Sequence, residues 1–386
     1  MKARKLQKKI LNRSGFGKVK GIKVMRKDEH GGNLSKMVKH SGLSMDKIVD
    51  FSVNINPQGL PPQIKKLVTD NISSLSRYPQ PKSESLKNEI AKMYKIRPDN
   101  LIIGNGSIEL IYLIPQALKI KNALIITPTF SEYEAAARLY GAKIEFLAAG
   151  EKDDFKVDFV KLAKLIPKTE IVFICNPNNP TGTMLTKEEM RRLMNMCERN
   201  RVFLAVDEAF MDFADNNAGQ FSLLREVRWN RYLFVIRSLT KFFALAGLRL
   251  GYIAAHPRLA KRLVAFQYPW NVNVPAQVIG QEMIKDNGYI KKSREFIRRE
   301  KRFLIQKLAK ISGIKIYPAA ANFIFCKLEQ HCRAKSAAAL CEQLAKEAVI
   351  IRDCGNFRGL NNKFFRVAVK ARKDNIRLIA ALKKVC

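Results

Sequence analysis

The chain has 386 residues, a hydrophobic fraction of 47% and a formal net charge of +36. This length and apolar content are sufficient for a large core, and charge interrupts the longest apolar stretch, Leu101 to Ile120, so no membrane span is expected. The seven cysteines are odd in number and include no C-x-x-C pair. This pattern argues against a disulfide framework and a zinc site, and it predicts reduced thiols.

The positive charge makes nucleic-acid binding an alternative function. Outside residues 1–29, however, 59 basic and 32 acidic residues remain, so the excess is spread along the chain. Such a spread is more typical of solvated helix faces, and no helix-turn-helix or other nucleic-acid-binding module is recognisable. We expect no specific nucleic-acid partner, but only non-specific binding to polyanions at low salt.

The N-terminal part divides into two segments. Residues 1–29 are Lys-rich and lack sustained apolar periodicity, so we expect a disordered basic extension. They contain no apolar segment of the secretory kind, and a cytoplasmic location is expected. Residues 30–76 include Pro57 and the pair Pro61-Pro62, which indicates a turn-rich lead-in to the domains that follow.

Residues 77–275 are predicted to form a large domain. Short apolar runs alternate there with helical patterns at about 107–119, 131–140, 187–200 and 257–266. Strands without polar alternation, separated by helices, indicate an α/β fold with a mostly parallel sheet covered by helices on both faces. The runs lie at residues 101–103, 123–126, 171–175, 202–206, 233–236 and 251–255.

The pattern changes in residues 276–386, which are predicted to form a smaller α+β domain. A long charged helical region covers about 276–310. Strands are expected near 314–317, 322–327 and 365–369, with helices near 335–347 and 372–384.

Polar residues collect after the predicted strands, where open parallel sheets bind ligands. The first run is followed by Gly104-Asn-Gly-Ser-Ile-Glu109, and the backbone N–H groups of Gly106, Ser107 and Ile108 would suit an anion at a helix start. A plain N-cap by Ser107 is the alternative. Phe130 follows the second run and would stack on a planar ligand or belong to the core.

An acid and an amine follow two later strands. Asp207 follows the run 202–206, and a buried carboxylate is costly unless it meets a positive partner. Lys241 comes one crossover later in Ser238-Leu-Thr-Lys241, where apolar neighbours would lower its proton affinity and make it a nucleophile. Taken alone, Lys241 would be a surface lysine. Its combination with Asp207 favours a catalytic role.

These groups together suit a flat, phosphorylated heteroaromatic aldehyde. Lys241 would bond to the aldehyde, Asp207 would hold a protonated ring nitrogen, and Phe130 would stack on the ring. The phosphate would be bound by Gly106, Ser107, Ile108, Ser238, Thr240 and Arg249.

The chain resembles the fold-type-I pyridoxal-phosphate (PLP) enzymes related to aminotransferases. The resemblance covers about residues 30–385 and includes the segments Asn178-Asn-Pro-Thr-Gly182, Asp207-Glu-Ala209, Ser238-Leu-Thr-Lys241 and Gly247-Leu-Arg-Leu-Gly251. It implies a PLP cofactor, a PLP-binding large domain and a homodimer. Within the family, the segments Asp50–Pro57 and Arg352–Arg358 are most similar to the group that decarboxylates L-threonine O-3-phosphate in cobalamin biosynthesis. Histidinol-phosphate aminotransferases are the alternative.

The resemblance also implies individual roles. Asn179 would bind the phenolic oxygen of PLP, and Tyr78 would reach the phosphate in the partner subunit. Arg366 would hold the substrate carboxylate and Arg352 the substrate phosphate. Further substrate contacts are expected from His30, Asn33 and Asn54.

One position departs from the family pattern. Aminotransferases of this type usually carry Tyr three residues after the aspartate, and this chain has Phe210. The missing hydroxyl favours decarboxylation.

Overall fold

The computed structural model describes residues 31–32, 44, 47–214 and 221–386. The strands are β1 (Val49–Asp50), β2 (Leu101–Asn105), β3 (Asn122–Thr127), β4 (Lys143–Ala148), β5 (Ile171–Cys175), β6 (Phe203–Asp207), β7 (Leu233–Ser238), β8 (Leu250–Ala255), β9 (Ile314–Ile316), β10 (Phe323–Leu328), β11 (Val349–Ile350), β12 (Arg352–Asp353) and β13 (Phe364–Ala368).

The helices are α1 (Pro62–Asp70), α2 (Glu84–Tyr94), α3 (Gly106–Leu118), α4 (Glu132–Leu139), α5 (Phe159–Leu165), α6 (Lys187–Arg199), α7 (Leu239–Phe242), α8 (Pro257–Val264), α9 (Val274–Lys285), α10 (Asn287–Leu308), α11 (Ala337–Lys346) and α12 (Arg372–Val385). Within the described ranges, none of the helices combines the length and the apolar character needed to cross a membrane.

A seven-stranded sheet in the order β2-β8-β7-β6-β5-β3-β4 organises the larger part of the molecule. Strands β4, β3, β5, β6 and β7 pair in parallel, and β8 is antiparallel to both of its neighbours. The α/β fold with a mostly parallel sheet is therefore confirmed. The antiparallel direction of β8 was not predicted, and it follows from the short connection from β7, which contains no long crossover helix.

Helices cover both faces of this sheet, as the continuous apolar runs predicted. On β5, Val172 and Ile174 belong to one buried cluster, whereas Ile171 and Phe173 belong to another. Successive side chains of a strand point to opposite faces, so both faces of β5 lie in a core.

The C-terminal part contains a four-stranded antiparallel sheet, β12-β13-β10-β9, together with α10, α11 and α12. The lead-in joins it, because β1 pairs in parallel with β11.

The expected helical region 276–310 is two helices, and the Asp286 side chain between them accepts a hydrogen bond from the N–H of Tyr289 at 2.8 Å. The expected boundary at residue 276 stays a prediction, although α9 packs on α1 and α2 of the larger part.

The cysteine prediction needs one correction. Cys332 and Cys386 form a disulfide with a Cα–Cα distance of 4.3 Å, so not all seven cysteines are thiols. The other five are free, and four of them are buried. The two cysteines are 54 residues apart and belong to no local motif, so the sequence alone did not indicate that they pair.

Candidate active site

A cavity of about 410 Å³ lies at the carboxyl ends of β5, β6 and β7, beside the start of α3. The parallel pairing of β6 with β7 brings the segment after each strand to the same edge of the sheet. The cavity is lined by nine of the residues predicted to bind the cofactor, namely Ser107, Ile108, Phe130, Asn179, Asp207, Ser238, Thr240, Lys241 and Arg249.

Asp207 is the buried acid of the cavity, with 5% of its surface exposed. Its Oδ2 accepts a hydrogen bond from the Tyr133 hydroxyl at 2.6 Å, and its Oδ1 accepts one from the N–H of Ala209 at 2.9 Å. Burial raises the pKa of the Asp207 carboxyl, whereas the Tyr133 hydroxyl, Lys241 and the Ala209 N–H oppose that shift. Both carboxylate oxygens therefore have donors before any ligand binds.

Lys241 lies in the short helix α7 and is half-buried. Its Nζ donates to Ser238 Oγ at 3.3 Å and lies 5.3 Å from the centre of the Phe210 ring. Burial lowers the pKa of Lys241 below that of an ordinary lysine, and the Asp207 carboxylate opposes part of this shift. A lowered pKa increases the fraction of neutral, nucleophilic amine.

A group of donors that could bind an anion lies beside Lys241, where the cavity meets the start of α3. Helix α3 begins at Gly106, whose φ is +76°. A side chain there would collide with the Arg249 guanidinium, because an added Cβ would lie 2.7 Å from Nη2. Ser238 and Thr240 place their hydroxyl oxygens 2.7 Å apart. A helix start, two hydroxyls and a guanidinium can together bind an anion, and the assignment of these groups to a phosphate stays a prediction.

Gly251 makes room for the start of α3 from the neighbouring strand. A Cβ at this position would lie 2.5 Å from the backbone nitrogen of Ser107 and 2.9 Å from the carbonyl oxygen of Arg237. Only glycine therefore lets β8 pass this close to the helix start.

Asn179 connects the cavity to the C-terminal part. Its Oδ1 accepts a hydrogen bond from Arg366, whose Nη2 also donates to the carbonyl of Ser52 at 2.9 Å. The guanidinium lies 5.0 Å from the centre of the Phe323 ring, and its Nε is buried without a hydrogen-bond partner among the described residues. Burial lowers the pKa of Arg366 to about 10. This group still carries its charge at neutral pH, and its Nε is a donor for which the described part of the chain offers no acceptor.

Arg352 lies opposite Arg366 on the neighbouring strand. It donates to Asn356 Oδ1 at 2.9 Å and lies 5.2 Å from the centre of the Phe357 ring. Arg352 is one of the causes that lower the pKa of Arg366, together with the dominant effect of burial. Two buried cations side by side repel each other, and an anion between them would relieve that repulsion.

The remaining predicted residues lie apart from the cavity or outside the described chain. Asn54 is buried, and its Oδ1 has no hydrogen-bond partner within residues 31–32, 44, 47–214 and 221–386. Tyr78 is 82% exposed and packs against Trp270 at a ring distance of 5.0 Å. His30 and Asn33 lie outside the described residues.

Sequence reasoning missed Tyr133, which lies in the first turn of α4. Its ring stacks on Phe173 at 5.7 Å and meets Phe130 edge-on at 5.7 Å. A buried tyrosine three residues after Phe130 was indistinguishable from a core residue. The available signal was its hydroxyl, because a buried tyrosine hydroxyl usually needs a partner.

The model of the family described as aminotransferase class I and II matches residues 46–384. A Caldanaerobacter subterraneus subsp. tengcongensis protein, provisionally named a threonine-phosphate decarboxylase, is 38% identical over 93% of this chain and 94% of its own. The threonine-phosphate decarboxylase of Salmonella typhimurium is 32% identical over 92% and 96%. The solved histidinol-phosphate aminotransferase of Clostridium acetobutylicum is 33% identical, with a TM-score of 0.80 over 86% of this chain and 98% of its own.

Proposed function

We infer the function from the fact that the chain belongs to the aminotransferase class I and II family and is a PLP-dependent enzyme. When bound, PLP forms a covalent bond with an amine and withdraws electrons from a bond to the α-carbon of an amino acid. We propose that this chain uses it to decarboxylate L-threonine O-3-phosphate, releasing CO₂ and (R)-1-aminopropan-2-yl phosphate.

The residues present fit the cofactor. A buried acid, an amine of lowered pKa and a helix start bordered by Arg249 line one cavity of about 410 Å³. The start of α3 has no space for a Cβ at Gly106 or at the neighbouring Gly251. This arrangement supplies separate partners for an aldehyde, a ring nitrogen and a phosphate.

Each residue around the cofactor has a proposed role. Lys241 bonds to the aldehyde, Asp207 pairs with the ring nitrogen, Asn179 donates to the phenolic oxygen and Phe130 packs on the ring. The phosphate is bound by Gly106, Ser107, Ile108, Ser238, Thr240 and Arg249, with Tyr78 from a partner subunit. The homodimer is supported by the 82% exposure of Tyr78 and the neighbouring exposed ring of Trp270.

The observation that carries the substrate proposal is the pair of buried arginines on adjacent strands. Arg366 donates a hydrogen bond to Asn179, which lines the cavity, and its Nε has no acceptor in the described part of the chain, so we assign the α-carboxylate to Arg366. Arg352 lies one strand further and binds the second anion, the substrate phosphate. Asn54 contributes its Oδ1, which accepts no hydrogen bond from the described residues, as an acceptor for the substrate. An amino acid with two anionic groups satisfies both arginines.

Transamination of a histidinol-phosphate-type substrate is the second candidate. The 33% identity and TM-score of 0.80 to the Clostridium aminotransferase favour it. Phe210 favours decarboxylation, because its ring faces Lys241 Nζ at 5.3 Å and offers no hydroxyl to the proposed position of the phenolic oxygen.

A paired kinetic assay tests the proposal. Purified enzyme loaded with PLP is given L-threonine O-3-phosphate alone, or glutamate with imidazole-acetol phosphate, and kcat/KM is measured for each reaction. We expect a much larger value for the first reaction and none for either reaction in Lys241→Ala. Efficient glutamate-dependent amino transfer without CO₂ release would reverse the assignment.

A further inference from the structure

The Tyr133 hydroxyl makes the shortest contact to the Asp207 carboxylate, at 2.6 Å from Oδ2. Both residues are nearly inaccessible, with 1% and 5% of their surfaces exposed. The tyrosine ring is fixed by the parallel stack on Phe173 and the edge contact with Phe130. The hydroxyl is therefore held in place by packing.

The direction of this hydrogen bond follows from the neighbouring groups. Burial and the Asp207 carboxylate raise the pKa of Tyr133 well above its ordinary value, so the phenol keeps its proton. The N–H of Ala209 can only donate, which makes Oδ1 an acceptor. Cys175, the other titratable group beside Tyr133, also has its pKa raised by burial and stays a neutral thiol.

We propose that Tyr133 is a positioning residue that keeps the Asp207 carboxylate ionised, so that the shared proton resides on the ring nitrogen of the cofactor. This inference rests on the proposed pairing of Asp207 with that nitrogen, and it is independent of the choice between decarboxylation and transamination. In this role Tyr133 acts through Asp207, which its hydroxyl contacts directly.

Tyr133 can have this effect because one proton is shared between two bases, the Asp207 carboxylate and the ring nitrogen. A hydrogen bond to a carboxylate stabilises its ionised form and lowers its proton affinity. Without the hydroxyl, buried Asp207 becomes more basic, and the proton moves from the ring nitrogen towards the carboxylate. The ion pair that holds the cofactor then becomes a neutral hydrogen bond, which is weaker.

The test variant is Tyr133→Phe, which removes one oxygen and keeps the ring that packs on Phe173. The readouts are the ¹⁵N chemical shift of ring-labelled PLP in the loaded enzyme and the dissociation constant of PLP. We expect the signal to move towards that of an unprotonated pyridine nitrogen, and the dissociation constant to increase roughly tenfold to hundredfold, as for the loss of a charge-assisted hydrogen bond.

Two further variants make the result specific. Tyr252→Phe removes another buried hydroxyl, which bonds to Tyr94 outside the cavity, and it should leave both readouts unchanged. Asp207→Asn should itself shift the ring signal. If Asp207→Asn shifts it and Tyr133→Phe does not, the role of Tyr133 is refuted and the placement of the cofactor stands. If neither variant shifts it, the pairing of Asp207 with the ring is refuted.

Discussion

Replacing each of the two facing arginines in turn should show which one binds the carboxylate and which one binds the phosphate of the proposed substrate. Arg352→Met and Arg366→Met each remove one guanidinium from neighbouring positions on β12 and β13. A hydrogen bond to a charged group contributes about 1.5–3 kcal/mol, which corresponds to a factor of about 10–150 in kcat/KM. Each variant should be measured with L-threonine O-3-phosphate and with L-threonine, which lacks the phosphate.

The expected pattern distinguishes the two sites. Arg352→Met should lower kcat/KM by this factor for the phosphorylated substrate and leave the value for threonine nearly unchanged. Arg366→Met should lower both, because both substrates carry an α-carboxylate. The assay is continuous detection of released CO₂ with enzyme saturated by PLP.

Stability must be followed in parallel, because truncating Arg366 removes the donor to the buried carbonyl of Ser52 and to Asn179. An unsatisfied buried acceptor costs about 1–3 kcal/mol. Arg262→Met is the matched control, since Arg262 donates to the carbonyls of Ala117 and Leu118 far from the cavity. Equal losses for both substrates in Arg352→Met would refute the phosphate role of Arg352.

Three other measurements test separate parts of the structure. Attachment of PLP to the apoenzyme, trapped with borohydride, should have a pH midpoint below the ordinary lysine value of 10.5, because burial lowers the pKa of Lys241. Asp207→Asn should lower this midpoint further, because the Asp207 carboxylate raises the pKa of Lys241, and a wild-type midpoint at or above 10.5 would contradict the reasoning. Cys386→Ser removes the disulfide to Cys332, whose sequence separation is 54 residues. The free energy of unfolding in urea should fall by up to about 4 kcal/mol, and no difference from oxidised wild type would show that the bond does not form. Light scattering should show a dimer, and Tyr78→Ala should weaken PLP binding; a fully loaded monomer would exclude the proposed role across the interface.

The proximity of Asp207 and Lys241 at one cavity could be predicted from the sequence, because it depends on sheet geometry. Asp207 and Ser238 follow two successive apolar runs, and adjacent parallel strands bring their carboxyl ends together. The roles of Arg352 and Arg366 came only from the family resemblance, since both lie in a part of the chain with no recognisable local motif. Their opposite positions depend on the register of β12 with β13, which a single sequence does not specify.

Other features depend on long-range packing and could not be inferred. Strand β4 alternates exposed and partly buried residues at the sheet edge, so it lacks the continuous apolar run that identified the central strands. The contact of Tyr133 with Asp207 joins residues 74 positions apart. The disulfide of Cys332 with Cys386 likewise depends on where α12 ends relative to the loop after β10.

The fate of the substrate carboxylate tests the central proposal most directly. L-threonine O-3-phosphate labelled with ¹³C at the carboxyl carbon is incubated with the PLP-loaded enzyme and an excess of 2-oxoglutarate, so that either reaction can proceed. We predict that the label is released entirely as CO₂ and bicarbonate and that no glutamate forms. Label retained in a 2-oxo acid, with an equal amount of glutamate, would contradict the assignment and establish transamination.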